Sequence, residues 1–252
     1  MGRKTYAVCV IWFILVVTCI VGAYVPLHYW SAQLRSLMPQ QVALMRVSGH
    51  WWAGQAQLSV TGLSQPLQLS WSMKSLFAPI DWYLNHPQIL GYGQVQPSFS
   101  TVSFWVKGLS LDADLLNPLL TQQGVYVTGS PLEVSAWYSV YDIQEKQFQA
   151  FQARANWSKG HIRYQLEGLT NEANIVDLQL QGYLTDESHP RQPILVLQSQ
   201  QGSPLLEMKL LPQWHLELTV MPELIETIGL RWPGKKEYPA FVMIQPLREM
   251  WP

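Results

Sequence analysis

Apolar and polar residues alternate one by one along much of this chain, most cleanly from Leu67 to Met73. There Leu67, Leu69, Trp71 and Met73 are separated by Gln68, Ser70 and Ser72, the two-residue period of a strand with one buried face. Just upstream, Leu58 and Val60 alternate with Gln57, Ser59 and Thr61. Gly62, Leu63, Ser64, Gln65 and Pro66 join the two runs, and such a junction favours a turn. Val47 to Met73 therefore predicts a β-hairpin or small meander. Its leading end carries Gly49, Trp51, Trp52 and Gly54. Glycine there permits a tight turn or a bulge, with tryptophan packing over the bare backbone.

The same alternation predicts strands elsewhere. Gln41 to Val47 reads as a strand with Val42 and Leu44 on one face and Ala43, Met45 and Val47 on the other. Further strands are predicted at Val102–Val106, Glu133–Ile143, Phe151–Trp157 and Ile162–Leu166. Ser158, Lys159 and Gly160 are read as the turn of a hairpin between the last two. Leu178–Leu184, Ile194–Leu197, Leu205–Leu210, Leu216–Val220 and Tyr238–Leu247 complete the set. Short helices are expected at Ser31–Met38, with Ser31 as N-cap, at Asp112–Leu120, and at Pro222–Leu230. Lys74–Asn85 reads as a short helix or loop with Asp81 at a helix start, and Gly91–Gly93 as a turn. Strands dominate and connections are short, so the expected class is mainly β, an antiparallel and curved sheet with a few short helices. Gly54 and Gly62-Leu63 are spaced as Gly160 and Gly168-Leu169 are, and Trp52 and Trp157 precede the first glycine of each pair. This suggests an internal duplication.

The N-terminus departs from alternation. After Arg3 and Lys4, residues 7–25 are almost unbroken apolar sequence. As a helix they would span roughly 28 Å, against about 30 Å for a bilayer core. The basic residues in front place residues 1–6 in the cytoplasm and the rest of the chain across the membrane. The competing reading is a cleaved signal peptide ending at Val21-Gly22-Ala23, although the run exceeds the ~7–15 residues of a signal core. Residues 26–40 then form a linker with a short helix, 41–247 an exported β-domain and 248–252 a tail.

Composition narrows the function classes. Charged residues make up 13% of the 252 residues, about half the usual ~25%. Sixteen basic residues balance seventeen acidic ones, for a formal charge of −1. This gives no long-range attraction to nucleic acid or anionic lipid. Twelve tryptophans on so uncharged a chain point to a surface that meets a partner or a membrane. The two cysteines, Cys9 and Cys19, lie in the apolar run, so the β-domain can hold no disulfide and no cysteine zinc site. The chain has no nucleophile-elbow, zincin, phosphate-loop or dinucleotide motif. The six histidines, His28, His50, His86, His161, His189 and His215, are not at ligand spacing. No catalytic residue, cofactor or metal is expected.

The order of a short basic end, one apolar span and then Val47-Ser48-Gly49-His50-Trp51-Trp52-Ala53-Gly54 resembles the type II secretion system protein N family. Leu67–Trp71 and Gly108-Leu109-Ser110-Leu111 extend the likeness over most of the chain. The resemblance implies a single-pass inner-membrane protein of Gram-negative bacteria with a periplasmic β-domain. It implies an accessory role in exporting folded proteins, with other secretion subunits as partners and no catalytic residue to carry over. That β-architecture is also similar to that of AsmA-like envelope proteins, which implies lipid contact as the alternative. Aromatics able to stand at the surface leave a periplasmic carbohydrate-active enzyme or glycan-binding protein as a third reading.

Overall fold

The alternating runs become neighbouring strands of a single antiparallel sheet in the computed structural model, which describes residues 12–13, 26–38, 42–75, 78–121, 124–166, 169–185 and 191–246. The strands are β1 (Val42–Gly49), β2 (Ala53–Val60), β3 (Leu67–Met73), β4 (Ile80–His86), β5 (Ile89–Pro97), β6 (Thr101–Leu111) and β7 (Val125–Gly129). There follow β8 (Leu132–Asp142), β9 (Gln147–Leu166), β10 (Leu169–Leu184), β11 (Pro193–Gln198), β12 (Pro204–Leu211), β13 (His215–Val220) and β14 (Phe241–Pro246). Each pairs with the next in sequence, except that β6 pairs with β8, and β7 lies on β9 beyond the end of β8. Nearly all pairings are thus local hairpins, which short loops favour. Among the described residues no helix is long and apolar enough to cross a membrane. The expected span, residues 7–25, lies outside the described residues but for Trp12 and Phe13, and the expected tail 248–252 lies wholly outside them.

One sheet face is packed and the other open. At the N-terminal end Leu44, Val47 and Ala56 are buried under Leu27, Leu34 and Met38, from the 3-10 turn Leu27–Trp30 and helix α1 (Ser31–Leu37) with its following residue. In the middle, a 3-10 turn and helix α2 (Asn117–Leu120) hold β7. The buried Asn117 amide donates to Val127 O at 2.8 Å and accepts from Val127 N at 2.7 Å, pairing backbone groups that, among the described residues, no strand reaches. At the C-terminal end Ile175, Leu178 and Leu205 are covered by Leu224 and Ile228, from helix α3 (Pro222–Thr227) and just after it. Tyr164 adds a hydrogen bond from its hydroxyl to Ile228 O, 2.8 Å. The sheet curls strongly here. Tyr141 at the end of β8 and Trp214 beyond β12 are four strand spacings apart, roughly 19 Å along a flat sheet. Their rings lie 6.3 Å apart.

Several expectations are corrected. In β1 the faces shift at a bulge between Leu44 and Arg46, which puts Leu44 and Val47 together on the packed face. Lys74–Asn85 is neither helix nor loop beyond residue 79, because β4 begins at Ile80. Asp81 starts no helix; it sits in β4 and accepts a hydrogen bond from Gln94 Nε2 at 2.7 Å. Ser31 lies inside α1 and does not cap it, and Asp112 makes no side-chain cap at its 3-10 turn. Gly91–Gly93 is mid-strand in β5. With no side chain at Gly93, the Trp82 ring of β4 and the Phe104 ring of β6 stack across it at 5.6 Å.

The largest correction concerns Ser158-Lys159-Gly160. No turn forms there: β9 runs unbroken from Gln147 to Leu166, and the chain reverses only between β9 and β10. What changes at this point is the phase. Ala153 and Ala155 are buried, Ser158 and Lys159 are exposed, and burial resumes at Gly160 and Tyr164. β10 shifts in step, with Ile175 and Leu178 both buried across Asp177, whose φ is +53°. On the other side, the break between β7 and β8 falls at Ser130 and Pro131. A crease therefore crosses three neighbouring strand lines. Asp177→Val is expected to destabilise the fold by about 1–2 kcal/mol, since a β-branched residue resists the left-handed region more than aspartate does. A chemical-denaturation midpoint equal to that of the parent chain would refute this.

Candidate functional site

Trp51 and Trp52, two of the three tryptophans of the Val47–Met73 stretch, sit at the tip of the β1–β2 hairpin. Gly49 has φ +90°, and a Cβ on it would lie 2.5 Å from Ala53 O. His50 N closes the turn by donating to Ala53 O at 2.8 Å. The His50 and Trp52 rings stack at 4.6 Å, and Trp51 stands edge-on to Trp52 at 5.5 Å. Trp71 of β3 fastens this tip. Its ring covers Gly54, and its Nε1 donates to both His50 O and Trp51 O at 3.1 Å. Met73 N donates to Trp52 O at 2.6 Å. A short loop that would otherwise move is thereby held to the neighbouring strand, while Trp51 remains 41% exposed.

Beside this tip are two shallow hollows. The first, about 560 Å3, is lined by residues including Ser48, Gln55, Ser72 and Asp81. The second, about 450 Å3, is lined by residues including Gln57, Gln68, Asn85 and Leu90. They share Gln55, Ser70 and Tyr83, so they form one trough along β2–β4. Its polar groups are mainly amides and hydroxyls, and the Asp81 carboxylate is engaged by Gln94. Past the trough the open face carries a ladder of rings. Tyr83 stacks on Tyr92 at 5.6 Å, with 54% and 42% exposure. Tyr92 also covers Gly108, and Trp105 stacks on Tyr138 at 5.3 Å. Aromatic planes beside uncharged donors and acceptors hold extended, hydrogen-bonding surfaces without demanding a charge.

No family model, curated protein or solved structure matches this chain. The site therefore stands on its geometry.

Of the residues singled out in the sequence, Gly49, Trp51, Trp52 and Gly54 come together at the hairpin tip. Gly62 lies at the opposite end of β2, at φ +93° in the turn to β3, against the Pro118 ring. Trp157 and Gly160 belong to the crease, and Gly168 lies outside the described residues. The two tryptophan–glycine pairs are alike in a way that the spacing of Trp52 and Trp157 does not convey. Trp71 covers Gly54 and bonds to the tip, while Trp157 covers Gly160 and donates from Nε1 to Ser130 O at 2.8 Å. Tyr83, Tyr92, Trp105 and Tyr138 form a group that the sequence does not signal, because their adjacency depends on strand register. Among the described residues no three His, Cys, Asp or Glu side chains converge to hold a metal ion. Lys236 is held above the ordinary lysine range by its 2.6 Å hydrogen bond to Glu226, but this pair is exposed and lines neither hollow.

Proposed function

We propose that this chain is a membrane-anchored envelope protein that works by protein–protein contact, as an accessory or assembly component of type II secretion. In this reading residues 7–25 anchor it in the inner membrane and the sheet stands in the periplasm. The observation that carries the binding role is the pinned Trp51–Trp52 tip beside a polar trough and an aromatic ladder on the open face. The resemblance of Val47–Gly54 to the secretion protein N family supplies the particular machine. The alternative, an AsmA-like protein that holds lipid, fits the low charge of the chain. The trough argues against it, since amides and hydroxyls there would be left unpaired by an acyl chain.

The test is crosslinking and co-purification of the full chain from native membranes. Recovery of other secretion subunits is expected, and deletion of the gene is expected to lower export of folded enzymes. Normal export with normal levels of the other subunits would overturn the reading. Trp51→Ala is the sharper probe. The Trp51 backbone, not its ring, receives the Trp71 bond, and the ring is lost only from its edge-on contact with Trp52, so folding should change by no more than about 1 kcal/mol. Loss of an exposed aromatic anchor costs an interface about 2 kcal/mol or more, so partner recovery should fall at least about tenfold. Unchanged recovery would remove the tip from the interface.

A further inference from the structure

The two edges of the sheet are treated differently. β1 is protected. The 3-10 turn and α1 pack against it, a bulge breaks it at Leu44/Arg46, and Arg35 Nε donates to Leu44 O at 3.1 Å. These are the usual devices that stop a sheet edge from recruiting another strand. β14 pairs with β13 and, among the described residues, with no other strand. Its sequence, Phe241-Val242-Met243-Ile244-Gln245-Pro246, has no charge, and its one proline stands at the end. Phe241, Val242, Met243 and Ile244 are 51%, 53%, 36% and 56% exposed, so the strand is apolar and open on both faces.

We infer that β14 is a self-association edge, whose occupant is β14 of a second copy of this chain in antiparallel pairing. Water can pair exposed edge groups one by one, but only another strand pairs them in a row while covering the apolar side chains beside them. A bilayer supplies none, and unpaired edge groups in hydrocarbon cost several kcal/mol each. Identity of the two strands favours the second copy over an unrelated one. A two-fold axis through Met243 sets Val242 opposite Ile244 of the second copy and Met243 opposite its own counterpart. With no charge from Phe241 to Pro246, no like charges meet. The sense of pairing is the one used throughout this sheet. Pro246 lacks an N–H and ends the ladder, so the contact is about one short strand long and belongs with interfaces below about 1,200 Å2. The association should accordingly be weak and dependent on concentration. It does not rest on the secretion reading.

The experiment is thiol crosslinking of the full chain in its native membranes, with Cys9 and Cys19 changed to Ser. Met243→Cys is expected to give a band of twice the chain mass with a short bismaleimide. Tyr183→Cys, at a more exposed position on β10, is expected to stay monomeric. Adding Val242→Lys to Met243→Cys places like charges near the axis and should lower the dimer yield about fivefold or more. Because Val242 is exposed, the denaturation midpoint should hold, which separates lost pairing from lost folding. Absence of the dimer at 243 would overturn the inference. So would equal yield at 183, indifference to the lysine, or crosslinks at 243 to a different protein alone.

Discussion

Trp157→Ala is expected to cost about 3–5 kcal/mol of folding stability, enough to lower abundance severely in a fold of ordinary marginal stability. The indole has three tasks at the crease. It packs against the Ile175, Leu178 and Leu205 cluster, it covers the bare backbone of Gly160, and its Nε1 donates to Ser130 O at 2.8 Å. Ser130 in turn donates from its backbone N–H to Lys159 O at 2.8 Å, and its hydroxyl accepts from Lys159 N at 3.0 Å. Removing the ring thus empties part of a core and exposes the joint between β8 and β9 at one stroke. Trp157→Phe keeps most of the packing and loses the hydrogen bond, so it should cost less, about 1–2 kcal/mol. Urea unfolding of both variants checks the pair. An alanine variant within about 1 kcal/mol of the parent would mean that the crease is held by the backbone alone.

The crease also shows where a sequence stops speaking. Alternation marks which residues share a face, and it correctly indicates β2, β3, β6, β8 and the run β11–β13. It cannot distinguish a chain that reverses from one that continues with its faces exchanged. Trp157-Ser158-Lys159-Gly160 interrupts the period in the same manner either way. The decision is made by Asp177, on β10, and by Ser130, in the break between β7 and β8, which shift in step with it. Gly91 and Gly93 misled for a related reason. A glycine pair favours a turn locally, but here it makes room for rings from β4 and β6 to meet above β5. Ile80–His86 was obscured by Asp81, whose carboxylate reads as a helix start until Gln94 is brought beside it. The candidate site was legible to the same degree. Val47–Gly54 announces itself through Trp51, Trp52 and its glycines, whereas the Tyr83–Tyr92 and Trp105–Tyr138 stacks exist only through register. Local composition finds the tip; only pairing finds the surface that the tip stands beside.

Gly54→Val separates those two roles. A Cβ at Gly54 would lie 2.5 Å from the Trp71 ring and 2.7 Å from Ser48 O. The ring cannot simply swing aside, because Nε1 is bonded to His50 O and Trp51 O. Valine must either displace it, with the loss of both bonds, or push β1 and β2 apart. Overpacking costs about 1–3 kcal/mol and each lost bond roughly another 1, so a total of about 3–5 kcal/mol is expected. The denaturation midpoint and the steady-state level of the chain should therefore fall together, before any effect specific to a partner emerges. Trp51→Ala gives the opposite expectation, a nearly normal midpoint with reduced crosslinking. If Gly54→Val folded normally and lost its partners alone, Trp71 would be free to move. The tip would then be a mobile element ordered by binding and not a preformed one.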